Sequence, residues 1–158
     1  MKSRSLSDIR KELPLLEKEE IEQLCLKLAK FSTANKELLS YLLFYPGAEE
    51  QFLAEVIDDL NCSFNDLNSS NAYLTKKTLR KILRTIKKYA HYSPSKAMEI
   101  EIRLHFCRQF KELGLLNLRD MALRNIFNRE LQKISKLIGT LHEDLQYDYR
   151  LELEKIAE

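Results

Sequence analysis

The stretch 94-PSKAMEIEIRLHFCRQFKELG-114 decides the fold class of this chain. Its centre, residues 98–106, alternates apolar and polar side chains with a period of two, which is typical of a half-buried β-strand. The residues on both sides are typical of helix, and no other segment offers a partner for an isolated strand, whose backbone hydrogen bonds would remain unmade. On a helix the same residues place apolar side chains on two faces. We therefore predict a central helix, packed between neighbours.

The composition also favours helices. The 158 residues include only three glycines and three prolines, and a sheet protein needs such residues for its many turns. A chain of this length can bury a real core. We predict a single all-α domain over residues 1–158, with about six helices stacked as antiparallel hairpins. The predicted arrangement is an open α-α superhelical layer of the HEAT type or a helical bundle.

Local signals place the predicted boundaries between helices. Pro46-Gly47 is typical of a turn, and residues 61–71, rich in Asn, Ser and Asp, predict a polar loop that is also the one plausible subdomain boundary. Ser93-Pro94 predicts a helix with Ser93 as N-cap. Gly114 predicts the left-handed C-cap of that helix.

The last part of the chain, from residue 118 onward, is one long apolar run at helical spacing. Asn117 is its predicted N-cap. Gly139 lies inside the run and predicts a bend or a break. Near the other end of the chain, residues 41–45 (YLLFY) are too apolar for a helix with a solvated side. We predict a buried core helix there, and the alternative is a self-association or partner-binding surface.

Charge is segregated along the sequence. The net charge is only +2, yet no acidic residue lies between Asp66 and Glu99, where eight basic residues occur. Residues 67–136 hold 16 basic and 5 acidic residues, and both flanking segments are net acidic. This distribution indicates a surface that meets an anionic partner rather than a reaction centre.

Seven of these basic residues fall on one predicted helix, over residues 72–89. On a helical projection they lie within an arc of roughly 140°, and apolar side chains occupy the opposite arc. No glutamate at i±4 dilutes the charge, so the like charges repel one another. We call this surface the cationic face, and it consists of Lys76, Lys77, Arg80, Lys81, Arg84, Lys87 and Lys88. The basic excess continues with Arg103, Arg108, Lys111, Arg119, Arg124, Arg129, Lys133 and Lys136.

The cationic face has more than one interpretation. Charge runs are more often solvated surface, and the acidic side chains of residues 143–154 could neutralise the face within the same molecule. The functional hypothesis is a non-catalytic protein-interaction module whose cationic face binds an acidic protein segment. Nucleic-acid binding through the same face is the alternative. Tyr73, Tyr89 and Tyr92 border the helix, but tyrosines at helix ends more often pack with the hydroxyl group in water than stack on bases.

The sequence lacks the spacings that accompany catalysis or metal binding. His91, His105 and His142 are far apart, and Glu101 with His105 is more typical of a surface ion pair than of a metal site. Cys107 is typical of an inert buried thiol. No glycine-rich phosphate loop occurs. We therefore expect no enzyme, cofactor or metal, and an enzyme site assembled from distant residues is the third and weakest hypothesis.

The cysteines and the hydropathy pattern predict the compartment. Cys25, Cys62 and Cys107 are odd in number and widely spaced, which is typical of free thiols in a reducing compartment. The N-terminus lacks the apolar core of a signal peptide. The longest uninterrupted apolar stretch is residues 41–45, far short of the roughly 20 residues that span a bilayer. We expect a cytoplasmic protein that makes no membrane contact.

Overall fold

The computed structural model describes residues 2–67, 71–118 and 120–158. Within these ranges the chain is helical and contains no strand, which confirms the predicted all-α class. The α-helices are α1 Leu6–Glu12, α2 Lys18–Phe31, α3 Thr33–Phe44, α4 Glu49–Asn65, α5 Ala72–Tyr92, α6 Lys96–Glu112, α7 Met121–Ile138 and α8 Glu143–Ala157. Short 3-10 helices occur at Leu13–Leu15 and Leu115–Leu118.

The described residues thus form eight α-helices, against about six in the prediction. One reason is that the long apolar run is divided. α7 ends at Ile138 with Gly139 as its C-cap, and α8 begins after its N-cap His142. The glycine that predicted a bend or a break therefore marks a break between two helices.

The N-caps of α6 and α7 lie later than the sequence predicted. The Ser95 side chain accepts a hydrogen bond from the Met98 backbone N–H at 3.3 Å, whereas the predicted cap, Ser93, accepts from the Ser95 N–H. Asp120 caps α7 instead of Asn117, because its carboxylate accepts from two backbone N–H groups of the first turn. Carboxylates suit this position because the first N–H groups of a helix have no backbone partner.

The chain divides into two compact units, Met1–Gly47 and Ala48–Glu158. The division follows the predicted Pro46-Gly47 turn, where Gly47 has the positive φ of 74° that favours glycine. It does not fall in the polar loop at 61–71, which was the predicted subdomain boundary. We call the two parts the N-terminal unit and the C-terminal unit. The single domain over residues 1–158 stays a prediction.

The polar loop is shorter at its start than predicted. α4 continues through Asn65, because Phe64 extends the four-residue spacing of Phe52, Val56 and Leu60, and all four side chains are buried. The polar composition of this stretch therefore belongs partly to the solvated side of a helix. Residues 68–70 of the predicted loop lie outside the described part of the chain.

The core of the C-terminal unit is built around α6. This helix packs against α4, α5, α7 and α8, and Gly114 follows it in the predicted left-handed conformation with a φ of 64°. The period-two pattern is thus part of a helix with two buried faces. Its buried apolar residues are Met98, Ile100, Ile102, Leu104, Phe106, Cys107 and Phe110. Aromatic rings connect α6 to its neighbours, with centroid distances of 5.6 Å for Phe64–Phe106 and 5.3 Å for Phe110–Phe127.

The N-terminal unit differs, because none of the side chains described in it is buried. The prediction of a buried core helix at residues 41–45 was wrong. Leu42, Leu43 and Phe44 are exposed, at 56%, 61% and 75%. Among the described residues, α3 packs mainly against α2, and a helix that is apolar on several sides cannot bury them all against one neighbour.

Candidate functional site

The cationic face lies on the solvent side of α5. The opposite side of the helix is anchored in the core by Leu79, Ile82 and Ile86, which are fully buried. This anchoring fixes the rotation of the helix and directs the basic side chains away from the core. Five of the seven predicted residues are exposed, namely Lys77, Arg80, Lys81, Arg84 and Lys87.

None of these five side chains forms an ion pair within the described residues. The one hydrogen bond among them runs from Arg84 Nε to the backbone carbonyl of Arg80, at 3.3 Å. The five basic groups therefore lie side by side without an acidic partner in that part of the chain. Their mutual repulsion costs a few tenths of a kcal/mol per neighbouring pair.

Lys76 differs from most residues of the cationic face because it pairs with an acidic residue. Its Nζ lies 2.9 Å from Asp120 Oδ2, the N-cap of α7. The hydrogen bond from Lys76, together with that from the Ala122 N–H, holds the pKa of the Asp120 carboxyl below its usual 3.8. Lys76 thus ties α5 to the start of α7 and is the predicted site residue least available to a partner.

Lys88, at the other end of the face, is half-buried. Its ammonium group lies 4.6 Å from the centroid of the Tyr89 ring, in a cation–π contact. We therefore restrict the candidate site to the five exposed residues between Lys77 and Lys87.

The acidic C-terminal segment does not pair with these five residues. α8 packs against α7 and α6, and its Glu152 carboxylate binds Arg108 of α6 at 2.9 Å. Asp144 lies 3.4 Å from His142, two residues away in sequence. Within the described residues, the acidic side chains of α8 thus leave the candidate site uncovered.

The tyrosines that border α5 mostly take part in packing. The Tyr89 hydroxyl donates to Asp59 Oδ2 at 3.0 Å, and its ring contacts Phe52 edge-on at a centroid distance of 5.9 Å. Tyr92 is buried and packs against Tyr89. Only Tyr73, in the first turn of α5, presents an exposed ring. A row of aromatic rings for base stacking is therefore not formed along this helix.

Arg103 does not extend the surface charge, contrary to the prediction. It is 6% exposed, and its guanidinium group donates to Glu99 at 2.8 and 3.0 Å and to Glu130 of α7. Glu130 is 1% exposed and also accepts from Lys133 at 2.6 Å. These charges form a buried network that joins α6 to α7. We call it the Arg103 network.

The sequence contained a signal for this network. Glu130 continues the core spacing of Leu123, Phe127, Ile134 and Ile138 on α7, all of which are buried. A charged residue at such a position needs a buried partner of opposite sign. Of the other predicted basic extensions, Arg124, Arg129 and Lys136 are exposed, and Arg119 lies outside the described residues.

The residues considered for catalysis have structural partners. His105 Nε2 lies 2.7 Å from Asn61 Oδ1. Glu101 faces a different neighbour, since burial and the Glu101 carboxylate raise the pKa of the Tyr149 hydroxyl. Cys107 is fully buried, and burial raises the pKa of its thiol to about 12. A thiol with such a pKa is inert at neutral pH. Among the described residues, no group of three potential ligands is positioned to hold a metal ion.

The Lys76–Asp120 contact predicts a titration difference. Replacing Lys76 by methionine should raise the pKa of Asp120 towards 3.8 without reaching it, because the backbone N–H bonds remain. Since the folded-state pKa is lowered, the stabilising effect of this carboxylate is present above pH 3.8 and is lost as the pH falls through the folded-state value. Carboxyl-carbon NMR titration measures the shift, and Lys77→Met is the matched control. An Asp120 pKa unchanged by Lys76→Met would contradict the assignment.

Comparison with known proteins yields no match to a family model, to a curated protein or to a solved structure. Among the described helices, none combines the length and the apolar character that crossing a bilayer requires. The candidate site therefore depends on the geometry of α5 and its surroundings.

Proposed function

We propose that this chain is a non-catalytic interaction module whose cationic face binds an acidic segment of a partner protein. The observation that carries the proposal is the set of five exposed basic side chains on α5 that lack an ion pair within the described residues. Such an arrangement lowers helix stability slightly. It creates a positive potential that attracts anionic partners and raises their association rate.

The dimensions of the site suit a short acidic segment. Lys77 and Lys87 are ten residues apart, which corresponds to roughly 15 Å along a helix. An extended peptide covers that length with about five residues. Arg80 and Arg84, one turn apart, present planar guanidinium groups that bind carboxylates in a bidentate manner. We therefore propose an acidic stretch of about five residues as the minimal ligand.

Nucleic-acid binding is the second candidate. The observation that favours it is Tyr73, whose exposed ring lies one turn before Lys77 and could stack on a base. Two observations argue against nucleic-acid binding. Tyr89 and Tyr92 take part in packing, and acidic segments lie on both sides of the basic region in sequence. A long polyanion would meet that acidic surface as well, whereas a short acidic peptide would contact α5 alone.

The affinities of two probes, each measured by direct binding, distinguish these candidates. Fluorescence anisotropy would follow a labelled ten-residue glutamate-rich peptide and a labelled single-stranded RNA of similar charge, both at low salt. We expect the peptide to bind more tightly than the RNA. If the RNA binds more tightly, with a log–log salt slope near 0.7 per phosphate neutralised, the second candidate is correct. If neither probe binds at low salt, both candidates are wrong.

Two further predictions accompany this proposal. For the C-terminal unit we propose a helical bundle rather than a HEAT-like layer, because α6 contacts four other helices. In a superhelical layer each repeat contacts only its neighbours.

A cytoplasmic location also stays a prediction, in keeping with three free cysteines.

A further inference from the structure

The N-terminal unit presents apolar surface that its own helices do not cover. α2 and α3 pack against each other, and the Asn35 side chain donates to the carbonyl of Leu28 at 2.9 Å. The contact half-buries Ile21, Cys25 and Ala29 of α2, but it buries no side chain fully. A short hairpin without a buried core has little to stabilise it against unfolding.

The uncovered surface of the N-terminal unit includes large apolar side chains. Phe31 is 85% exposed and Phe44 is 75% exposed, and together they present roughly 300 Å² of aromatic surface. The exposed leucines of the same two helices are Leu24, Leu26, Leu28, Leu42 and Leu43. An apolar groove of about 290 Å³ lies between the helices, lined in part by Leu28, Leu38 and Leu42. Apolar patches of a few hundred Å² on a protein surface mark interaction sites.

The charge distribution along α2 identifies the kind of partner. Its N-terminal half carries Glu19, Glu20 and Glu22, and its C-terminal half carries Lys27 and Lys30. Lys18 is the one basic residue in the first half, and it lies 3.8 Å from Glu22. When two copies of α2 pack antiparallel, the acidic half of each lies opposite the basic half of the other. The charges of one α2 helix therefore complement those of a second α2 helix in antiparallel orientation. The dipoles of two antiparallel helices also attract each other.

We propose that the chain forms a homodimer through the α2–α3 hairpin, with the two α2 helices antiparallel across a two-fold axis. The two hairpins together form a four-helix bundle that covers Phe31, Leu24 and Leu28, which share one side of α2, and Leu42 of α3, which lies beside Leu28. Such an isologous contact uses the same surface on both copies and closes without leading to a filament. The interface lies on a different unit from the cationic face, and the proposal does not depend on the function proposed for that face.

The mass of the 158-residue chain in solution tests the proposal. Sedimentation equilibrium should give a dimer of twice 18.7 kDa that dissociates on dilution. Phe31→Lys should weaken dimerisation at least 100-fold, because the lost apolar contact occurs in both copies. Tyr147→Lys, which changes an exposed aromatic residue of α8, is the matched control and should leave the mass unchanged. A monomer at every concentration would overturn the proposal, as would a dimer that Phe31→Lys does not affect.

Charge exchange tests the antiparallel orientation without changing the apolar surface. Glu20→Lys with Glu22→Lys should weaken the dimer about tenfold or more at low salt, and so should Lys27→Glu with Lys30→Glu. All four substitutions in one chain should restore dimerisation, because the acidic and basic halves of α2 are then exchanged in both copies. If the fourfold variant is no tighter than the double variants, the helices are not antiparallel and the proposal fails. If the chain's own C-terminal unit covers this surface instead, the protein should stay monomeric at every concentration, and the proposal fails.

Discussion

Replacing Arg103 by methionine is expected to lower the free energy of unfolding by about 3–5 kcal/mol. Glu130 is 1% exposed, and without Arg103 its carboxylate keeps Lys133 as its one partner of opposite charge among the described residues. Removing one member of a buried ion pair is costly because the remaining charge stays out of water. Urea denaturation followed by circular dichroism measures this effect.

A second substitution tests the physical cause. Arg103→Met combined with Glu130→Met should recover most of the lost stability, since both charges are removed and apolar side chains of similar volume replace them. Arg108→Met is the control on the same helix, because its pair with Glu152 is partly exposed and should contribute about 1 kcal/mol or less. If the double variant is as unstable as the sum of the two single variants, the Arg103 network does not act as a coupled unit.

Reversing three charges of the cationic face is expected to abolish binding of the acidic probe. Lys77→Glu, Lys81→Glu and Arg84→Glu together replace attraction by repulsion at three positions. A unit charge at 4 Å in water contributes about 1 kcal/mol, so each reversal changes the interaction by up to about 2 kcal/mol before screening. We expect the dissociation constant at low salt to rise at least 100-fold.

The same variant should not lose stability. Most i,i+3 and i,i+4 pairs on this side of α5 change from repulsive to attractive, which is expected to raise the free energy of unfolding by about 1 kcal/mol. Loss of binding together with unchanged or increased stability would separate a partner site from a structural role. A variant that unfolds more easily would indicate that the five basic side chains have partners that stabilise the fold.

Net charge alone could also weaken binding, so a matched control is needed. Arg124→Glu, Arg129→Glu and Lys136→Glu change the charge of the chain by the same amount on exposed positions of α7. We expect this variant to bind the probe within about threefold of the unmodified protein, the loss coming only from long-range repulsion. If it loses binding as strongly as the α5 variant, the overall charge and not the cationic face attracts the probe.

The sequence predicted features that depend on local chemistry. The helical nature of α6, its central position and the left-handed Gly114 follow from apolar spacing and from the φ of glycine. The exposure of Lys77, Arg80 and Lys87 follows from the apolar residues on the opposite side of α5. Apolar spacing and the position of a glycine can each be read from the residues of one helix and those next to it.

Features that depend on pairing between distant residues were not predicted. Lys76 and Asp120 are 44 positions apart, and nothing local in the sequence indicates that they meet. Arg103 looked like a surface charge because its partner Glu130 belongs to another helix. The exposure of Leu42, Leu43 and Phe44 was missed for a related reason, since apolar composition does not show whether a neighbouring helix is present to cover them.

The most direct test of the proposed function is an NMR titration of the nitrogen-15-labelled protein with the unlabelled glutamate-rich peptide. The peptide should shift the backbone amide signals of residues 77–87 of α5 most strongly, and it should leave those of α7 and α8 nearly unchanged. Shifts concentrated on another surface, or no shifts at low salt and millimolar peptide, would contradict the assignment of the cationic face as the binding site.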